Sequence, residues 1–242
     1  MNWSGWSIYT NALASGFSAL AGGSVDVYTI ILTSLKVSCI ATAVSLIVGV
    51  PLGMYLGSRR SVSRTVALII ANAGMGLPPV IAGLVVSMLL SRRGPLGDLG
   101  LLYTQIAMVI AQVVIATPVI SAIVASGVSA IPAQLRLQVR SLGASRLQEA
   151  WLTLRESRLS VFAGIAAGFG AIISEVGAVQ MVGGNLAGET RVMTTAIVQF
   201  TRMGRYSEAM ALAVVLLGII VAVNVLITYA QTKDEKHAQE LN

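Results

Sequence analysis

Five long apolar stretches, set apart by short loops that hold most of the arginines, leave this chain very few folds. They run at about Val27–Leu56, Val66–Leu90, Leu101–Ile131, Leu159–Val182 and Ala209–Ala230. Each reaches the roughly 20 apolar residues that a helix needs to cross a bilayer. Hydrocarbon offers no water to a backbone N–H or C=O, so such stretches must satisfy themselves as helices. The sequence therefore predicts an all-α, polytopic membrane protein with about five transmembrane helices. Composition agrees, because only 11% of the residues are charged whereas soluble domains carry about 25%. Residues 1–26 form an N-terminal lead-in, weakly apolar over Trp6–Gly22 and interrupted by Asn11 and Ser15. Reading that segment as a sixth span would only move the N-terminus inward. It lacks a basic start and a compact apolar core, so no cleavable signal peptide is expected.

The net charge of +6 does not describe a nucleic-acid binder, since the cations lie in loops between apolar spans. Arg59, Arg60, Arg64, Arg136, Arg140, Arg146, Arg155, Arg158, Lys233 and Lys236 fall on one side, and Arg92, Arg93, Arg191, Arg202 and Arg205 on the other. The richer side is expected to be cytoplasmic. That places the N-terminus outside and the C-terminus inside, with the long loop 132–158 facing the cytoplasm. The permease domain then covers 27–231, followed by a polar tail over 232–242.

Gly49, Gly53 and Gly57 are four apart, as are Gly164 and Gly168. Small residues at that spacing share one helix face and let backbones approach closely. Tight packing is the simplest consequence, and a sliding contact the functional one. Pro51, Pro78, Pro79 and Pro118 remove backbone donors within the spans, so kinks are expected near them.

Much chemistry is excluded. The one histidine, His237, lies in the polar tail and the one cysteine, Cys39, in the first span. A Ser–His nucleophile within the membrane and a Cys/His metal cluster are thus ruled out. Cys39 can form no internal disulfide. A Ser–Lys pair would need Lys36, and nothing places a particular serine beside it; Lys36 snorkels to the outer interface or faces a polar path. No glycine-rich loop ends in Gly-Lys-Ser/Thr, so any ATP must be bound by another chain. The chain is expected to be no enzyme and to hold no cofactor or metal.

The loop 132–158 combines five arginines with Leu135, Leu137, Leu142, Leu147, Trp151 and Leu154. Leu147, Trp151 and Leu154 share one helix face, and Gly143 permits a sharp turn or a close backbone approach. Composition alone leaves a topology-setting loop and a docking loop evenly matched. The string Arg140-Ser141-Leu142-Gly143-Ala144-Ser145-Arg146, followed by Leu147-Gln148 and Trp151, resembles the glycine-centred EAA loop of ABC importer permeases. Leu137-Gln138-Val139 stands where that loop has Glu-Ala-Ala, and Arg155-Glu156 where many members have Leu-Pro. Thr33-Ser34-Leu35-Lys36-Val37, Gly76-Leu77-Pro78-Pro79-Val80 with Gly83-Leu84, and Ala111-Gln112 with Pro118 are similar to the family's successive spans. The likeness covers the chain from about Thr33 onward. It implies a type I ABC importer permease fold whose Arg140–Arg146 segment couples to a separate ATPase.

A second string, Ser174-Glu175-Val176-Gly177-Ala178-Val179, continues through Met181-Val182-Gly183-Gly184-Asn185, Gly188 and Thr190-Arg191-Val192-Met193-Thr194-Thr195-Ala196-Ile197. It resembles the fourth-span exit and outer loop of tungstate-type permeases. Sulfate and molybdate relatives usually have Gly-Glu-Phe or Gly-Glu-Tyr in place of Ser174-Glu175-Val176. The resemblance implies an importer of an oxyanion, tungstate first and molybdate next, with sulfate as a further alternative. A tetrahedral oxyanion is well served by amides near glycines, hydroxyls and an arginine. Gly183, Gly184, Asn185, Thr190, Arg191, Thr194 and Thr195 would then line an oxyanion path. Alternatively they form a re-entrant outer gate in which Arg191 pairs with Glu189 or Glu208. Glu175, costly within a membrane unless paired or wet, is read as a structural or gating group. The implied assembly is a homodimer in a bacterial or archaeal cytoplasmic membrane. Its partners would be ATPase subunits carrying ATP and Mg, and a periplasmic or lipid-anchored oxyanion-binding protein. A secondary oxyanion transporter and a membrane scaffold are the rival classes; the former should show paired inverted repeats, which this sequence lacks.

Overall fold

A computed structural model of the chain describes residues 25–58 and 62–239. The lead-in over Trp6–Gly22, and Arg59 and Arg60, lie outside the described residues. Among the described residues ten α-helices follow one another: α1 (Val25–Ser58), α2 (Val62–Met75), α3 (Pro79–Leu90), α4 (Gln105–Ala130), α5 (Ala133–Ser141), α6 (Arg146–Glu156), α7 (Arg158–Ile173), α8 (Gly177–Gly183), α9 (Met193–Arg202) and α10 (Tyr206–Gln239). Three of them, α1, α4 and α10, are each long and apolar enough to cross a membrane alone. Two bent pairs, α2 with α3 and α6 with α7, bring the number of candidate spans to as many as five.

The expected second span, 66–90, is therefore two helices with a break between Met75 and Pro79. Pro78 and Pro79 explain the break. A residue before proline is driven out of the helical region, and proline itself suits the first position of a new helix. Gly76 N–H and Leu77 N–H bond back to Ala73 and Gly74 carbonyls, closing α2 with a turn. Helix runs unbroken through Pro51 and Pro118, by contrast. The expected fourth span, 159–182, also divides, because α7 stops at Ile173 and α8 starts afresh at Gly177. The polar tail begins inside α10, which holds no glycine or proline past Gly218 and stays helical to Gln239.

The fold separates into two compact units. The first comprises the described residues of 1–40, 79–112 and 173–223. Its core joins Val27 and Ile30 of α1 to Met193, Ala196 and Phe200 of α9 and to Ala209 and Leu212 of α10. In the same unit α3 packs on α8, with Gly83 so close to Ala178 that a β-carbon would stand 2.5 Å from its Cα. The second unit comprises the described residues of 41–78, 113–172 and 224–242. Here the glycine ladder of α1 lies against α4: β-carbons at Gly53 and Gly57 would stand 2.7 and 2.5 Å from Cβ of Val124 and Val128. Gly168 of α7 meets Ile120 of α4 in the same way. Close helix approach replaces the hydrophobic drive that lipid does not supply.

Candidate functional site

The basic loop folds as a helical hairpin, α5 and α6, within the second unit. Arg140 O accepts from Gly143 N–H, and Val139 O accepts from Ala144 N–H. Together with φ +83° at Gly143, these bonds make a Schellman stop, in which a left-handed residue satisfies the last carbonyls. Ser145 then opens α6 with a capping box, its hydroxyl accepting from Gln148 N–H while the Gln148 side chain accepts from Ser145 N–H. The two helices are clasped by Arg140 and Glu149, whose guanidinium and carboxylate form parallel bonds of 2.8 and 3.0 Å. Glu149 holds the Arg140 pKa above its ordinary value through that hydrogen bond and its charge. A fork-to-fork pair of this kind fixes geometry as well as attraction.

What the hairpin leaves outside is apolar. Leu142 and Leu147 are 87% and 80% exposed and Trp151 is 65% exposed, and Leu137 is exposed as well. Leu154 is half-buried, so the predicted face of Leu147, Trp151 and Leu154 is open over its first two members. No side-chain atom lies within 4 Å of a β-carbon built on Gly143. Contiguous exposed apolar groups rimmed by polar ones mark a protein–protein or membrane interaction surface. Below the hairpin α6 meets α7 at 66°, where the buried Ser157 hydroxyl bonds Thr153 O at 2.8 Å.

The segment 174–205, in the first unit, is built differently. Glu175 is buried, and its Oε1 accepts from Ala178 N–H at 2.9 Å, starting α8. Its carbonyl accepts from the Thr194 hydroxyl at 2.8 Å. A carboxylate at a helix start meets the orphan N–H groups and the positive end of the dipole. Gly184, Asn185 and Gly188 take positive φ and carry the chain around α8. Thr190 Oγ1 donates to Gly183 O and accepts from Leu186 N–H, and Thr195 Oγ1 donates to Val192 O. All three threonines are buried, at 2%, 6% and 1% exposure for Thr190, Thr194 and Thr195. Their hydroxyls thus face backbone within the segment.

Arg191 meets neither Glu189 nor Glu208, the partners expected for it. Its Nη2 approaches Asn185 O at 3.5 Å, and Glu208 is taken by Arg205 at 2.9 Å. Asn185 Nδ2 donates to Gln199 Oε1 at 2.7 Å. Lys36 is exposed on α1. Two supports were not legible beforehand. Ser34 of α1 accepts from Met193 N–H at 2.7 Å and so caps α9, a contact across 159 residues of sequence. Tyr103, at φ +66°, donates its N–H to Val182 O at 2.8 Å and lays its ring against Gly184.

Helices long and apolar enough to span a membrane, joined by a basic hairpin with an apolar outer edge, describe a polytopic membrane protein. The chain belongs to the family of binding-protein-dependent transport system inner membrane components, whose model matches residues 49–233. It is 41% identical over 220 residues to the tungstate uptake system permease protein TupB of Peptoclostridium acidaminophilum, covering 89% of this chain and 96% of that one. It is 38% identical to a probable anion ABC transporter permease protein of Haloferax volcanii, over 80% of this chain and 85% of that one. Among solved structures, a bacterial ABC transporter that imports alginate has the same fold, with a TM-score of 0.73 at 17% identity over 91% of this chain and 82% of that one. The MetNI methionine ABC transporter gives 0.70 at 17% identity over 86% and 96%. The protein is thus the non-catalytic, multi-pass permease subunit of an ABC importer of the bacterial or archaeal inner membrane, working with ATPase and substrate-binding partners.

Proposed function

We propose that this permease imports an oxyanion, tungstate before molybdate or sulfate, as a homodimer with two ATPase subunits and an oxyanion-binding protein. The observation that carries the substrate is the near full-length likeness to a tungstate uptake permease. A sulfate transport permease of Salmonella typhimurium is only 25% identical, and a probable molybdenum permease of Haloferax volcanii 28%. Arg140, Ser141, Leu142, Gly143, Ala144, Ser145 and Arg146 form the coupling turn. The apolar edge of Leu142 and Leu147 seats in the ATPase, and the Schellman turn brings backbone to the contact. ATP binding draws the two copies of the turn together and opens the path outward; hydrolysis reopens it inward.

The segment around Gly183, Gly184, Asn185, Thr190, Arg191, Thr194 and Thr195 acts as the outer gate. Threonine hydroxyls engaged with backbone favour the gate over an oxyanion lining, which leaves tight selection to the binding protein. The test is the tungsten and molybdenum content of cells with and without the chain, grown on equal traces of both oxyanions. Selective loss of tungsten without the chain is expected. Equal loss of both metals would mean a broader importer, and loss of neither would overturn the substrate.

A further inference from the structure

Arg136 of the hairpin takes part in neither the Arg140–Glu149 clasp nor the apolar edge. Arg136, one turn before Arg140 on α5, donates from Nη1 to Ser58 O at 2.9 Å and from Nη2 to Val128 O at 2.8 Å. Ser58 is the last described residue of α1, and Val128 lies in the final turn of α4. Both carbonyls lie toward the C-terminal ends of their helices, where the dipole leaves negative charge that a cation relieves, and Val128 O also accepts from Ile131 N–H at 3.4 Å. A single guanidinium therefore ties α1 to α4 through carbonyls near their C-terminal ends. Its planar fork can reach two carbonyls together, which an ammonium, a point charge on a flexible stem, cannot reproduce. These helix ends also form the tightest part of the glycine ladder, at Gly57 against Val128. A pocket of about 410 Å³ opens beside them, with Ser129, Arg136, Arg140 and Glu149 in its wall. Around that pocket the hairpin is tied to the spans through polar groups, so Arg136 spans a joint.

We propose that Arg136 is a positioning residue for coupling: it fastens the hairpin to the cytoplasmic ends of α1 and α4, so that a pull on the Gly143 turn moves those helices. The inference rests on the coupling role of the hairpin given above. Its two clasps divide the work. Arg140 and Glu149 hold α5 to α6, and Arg136 holds the pair to the spans. Losing Arg136 leaves the docking edge intact and lets the hairpin follow the ATPase without carrying α1 and α4.

The test uses the assembled transporter, with ATPase and binding protein, reconstituted in liposomes and supplied with whichever of tungstate and molybdate the wild type accumulates. Uptake and ATP hydrolysis are measured together. Arg136→Ala is expected to keep its ATPase bound and hydrolysing while uptake per ATP falls about tenfold, the scale of a lost charged hydrogen bond. Arg136→Lys, which keeps the charge and one bond, should recover part of the ratio. If Arg136→Ala does not reach the membrane, Arg136→Lys carries the same readout. Unchanged uptake per ATP, or uptake and hydrolysis falling in step, would overturn the proposal. Failure of the coupling reading itself would be distinguishable, because Gly143→Asp would then transport normally.

Discussion

The basic hairpin and the 174–205 segment both turn on a positive-φ glycine, yet they are held in opposite ways. The hairpin buries little, keeps its leucines and Trp151 outside, and is fixed by charged groups on carboxylate and carbonyl oxygens. The segment turns its hydroxyls inward, where Thr190, Thr194 and Thr195 satisfy backbone around α8 and α9. A surface that must dock and release gains from exposed apolar groups on a stiff frame. A gate that must reclose the same way gains from a fully satisfied buried network.

The largest break in this comparison is Gly143→Asp. A β-carbon at Gly143 meets nothing within 4 Å and aspartate is among the few residues that enter the left-handed region its φ of +83° requires, so the protein should remain in the membrane while uptake is abolished, as measured by uptake assay and membrane immunoblot. Next is Gly53→Val, which drives β-carbons into Val124 and the Ser121 carbonyl, 2.7 Å from each. It should sharply reduce the amount of protein folded in the membrane, whereas the exposed hairpin glycine should not. Thr190→Val removes a hydroxyl that serves Gly183 O and Leu186 N–H. It should destabilise the detergent-solubilised protein by about 2 kcal/mol, since buried groups left unpaired cost about 1–3 kcal/mol; thermal unfolding measures this. Trp151→Ala should weaken ATPase binding by about tenfold, a loss of about 1.4 kcal/mol and modest for an exposed aromatic anchor, without moving the melting temperature. The smallest effect belongs to Glu175→Gln. The amide oxygen can still accept from Ala178 N–H, so transport rate or assembly should change slightly and the tungstate-to-molybdate preference not at all. An altered preference in competitive uptake would make Glu175 a ligand.

What was legible in the sequence followed from local rules. Span number came from apolar length, and the turn of the hairpin from Gly143 flanked by helical stretches. The breaks within two spans were less plain. Pro78-Pro79 was expected to kink a helix and instead separates two helices, because two consecutive prolines remove two donors and constrain the residue before them. The restart at Gly177 is supported by the Glu175 carboxylate accepting from Ala178 N–H, which apolar length cannot register. Arg140 with Glu149, nine residues apart around a turn, falls outside the i,i+4 rule for helix pairs. Ser34 read as part of a family-like string, and its capping of α9 needed the chain to return after 159 positions. Arg136 read only as a topological charge until its two carbonyl partners were in place.

The most direct test of the central claim is accumulation of tungstate in liposomes carrying this chain, with the binding protein outside and the ATPase and ATP present or withheld. The account predicts accumulation only when both ATPase and ATP are supplied. Accumulation that proceeds without the ATPase would contradict it and make the protein a transporter in its own right.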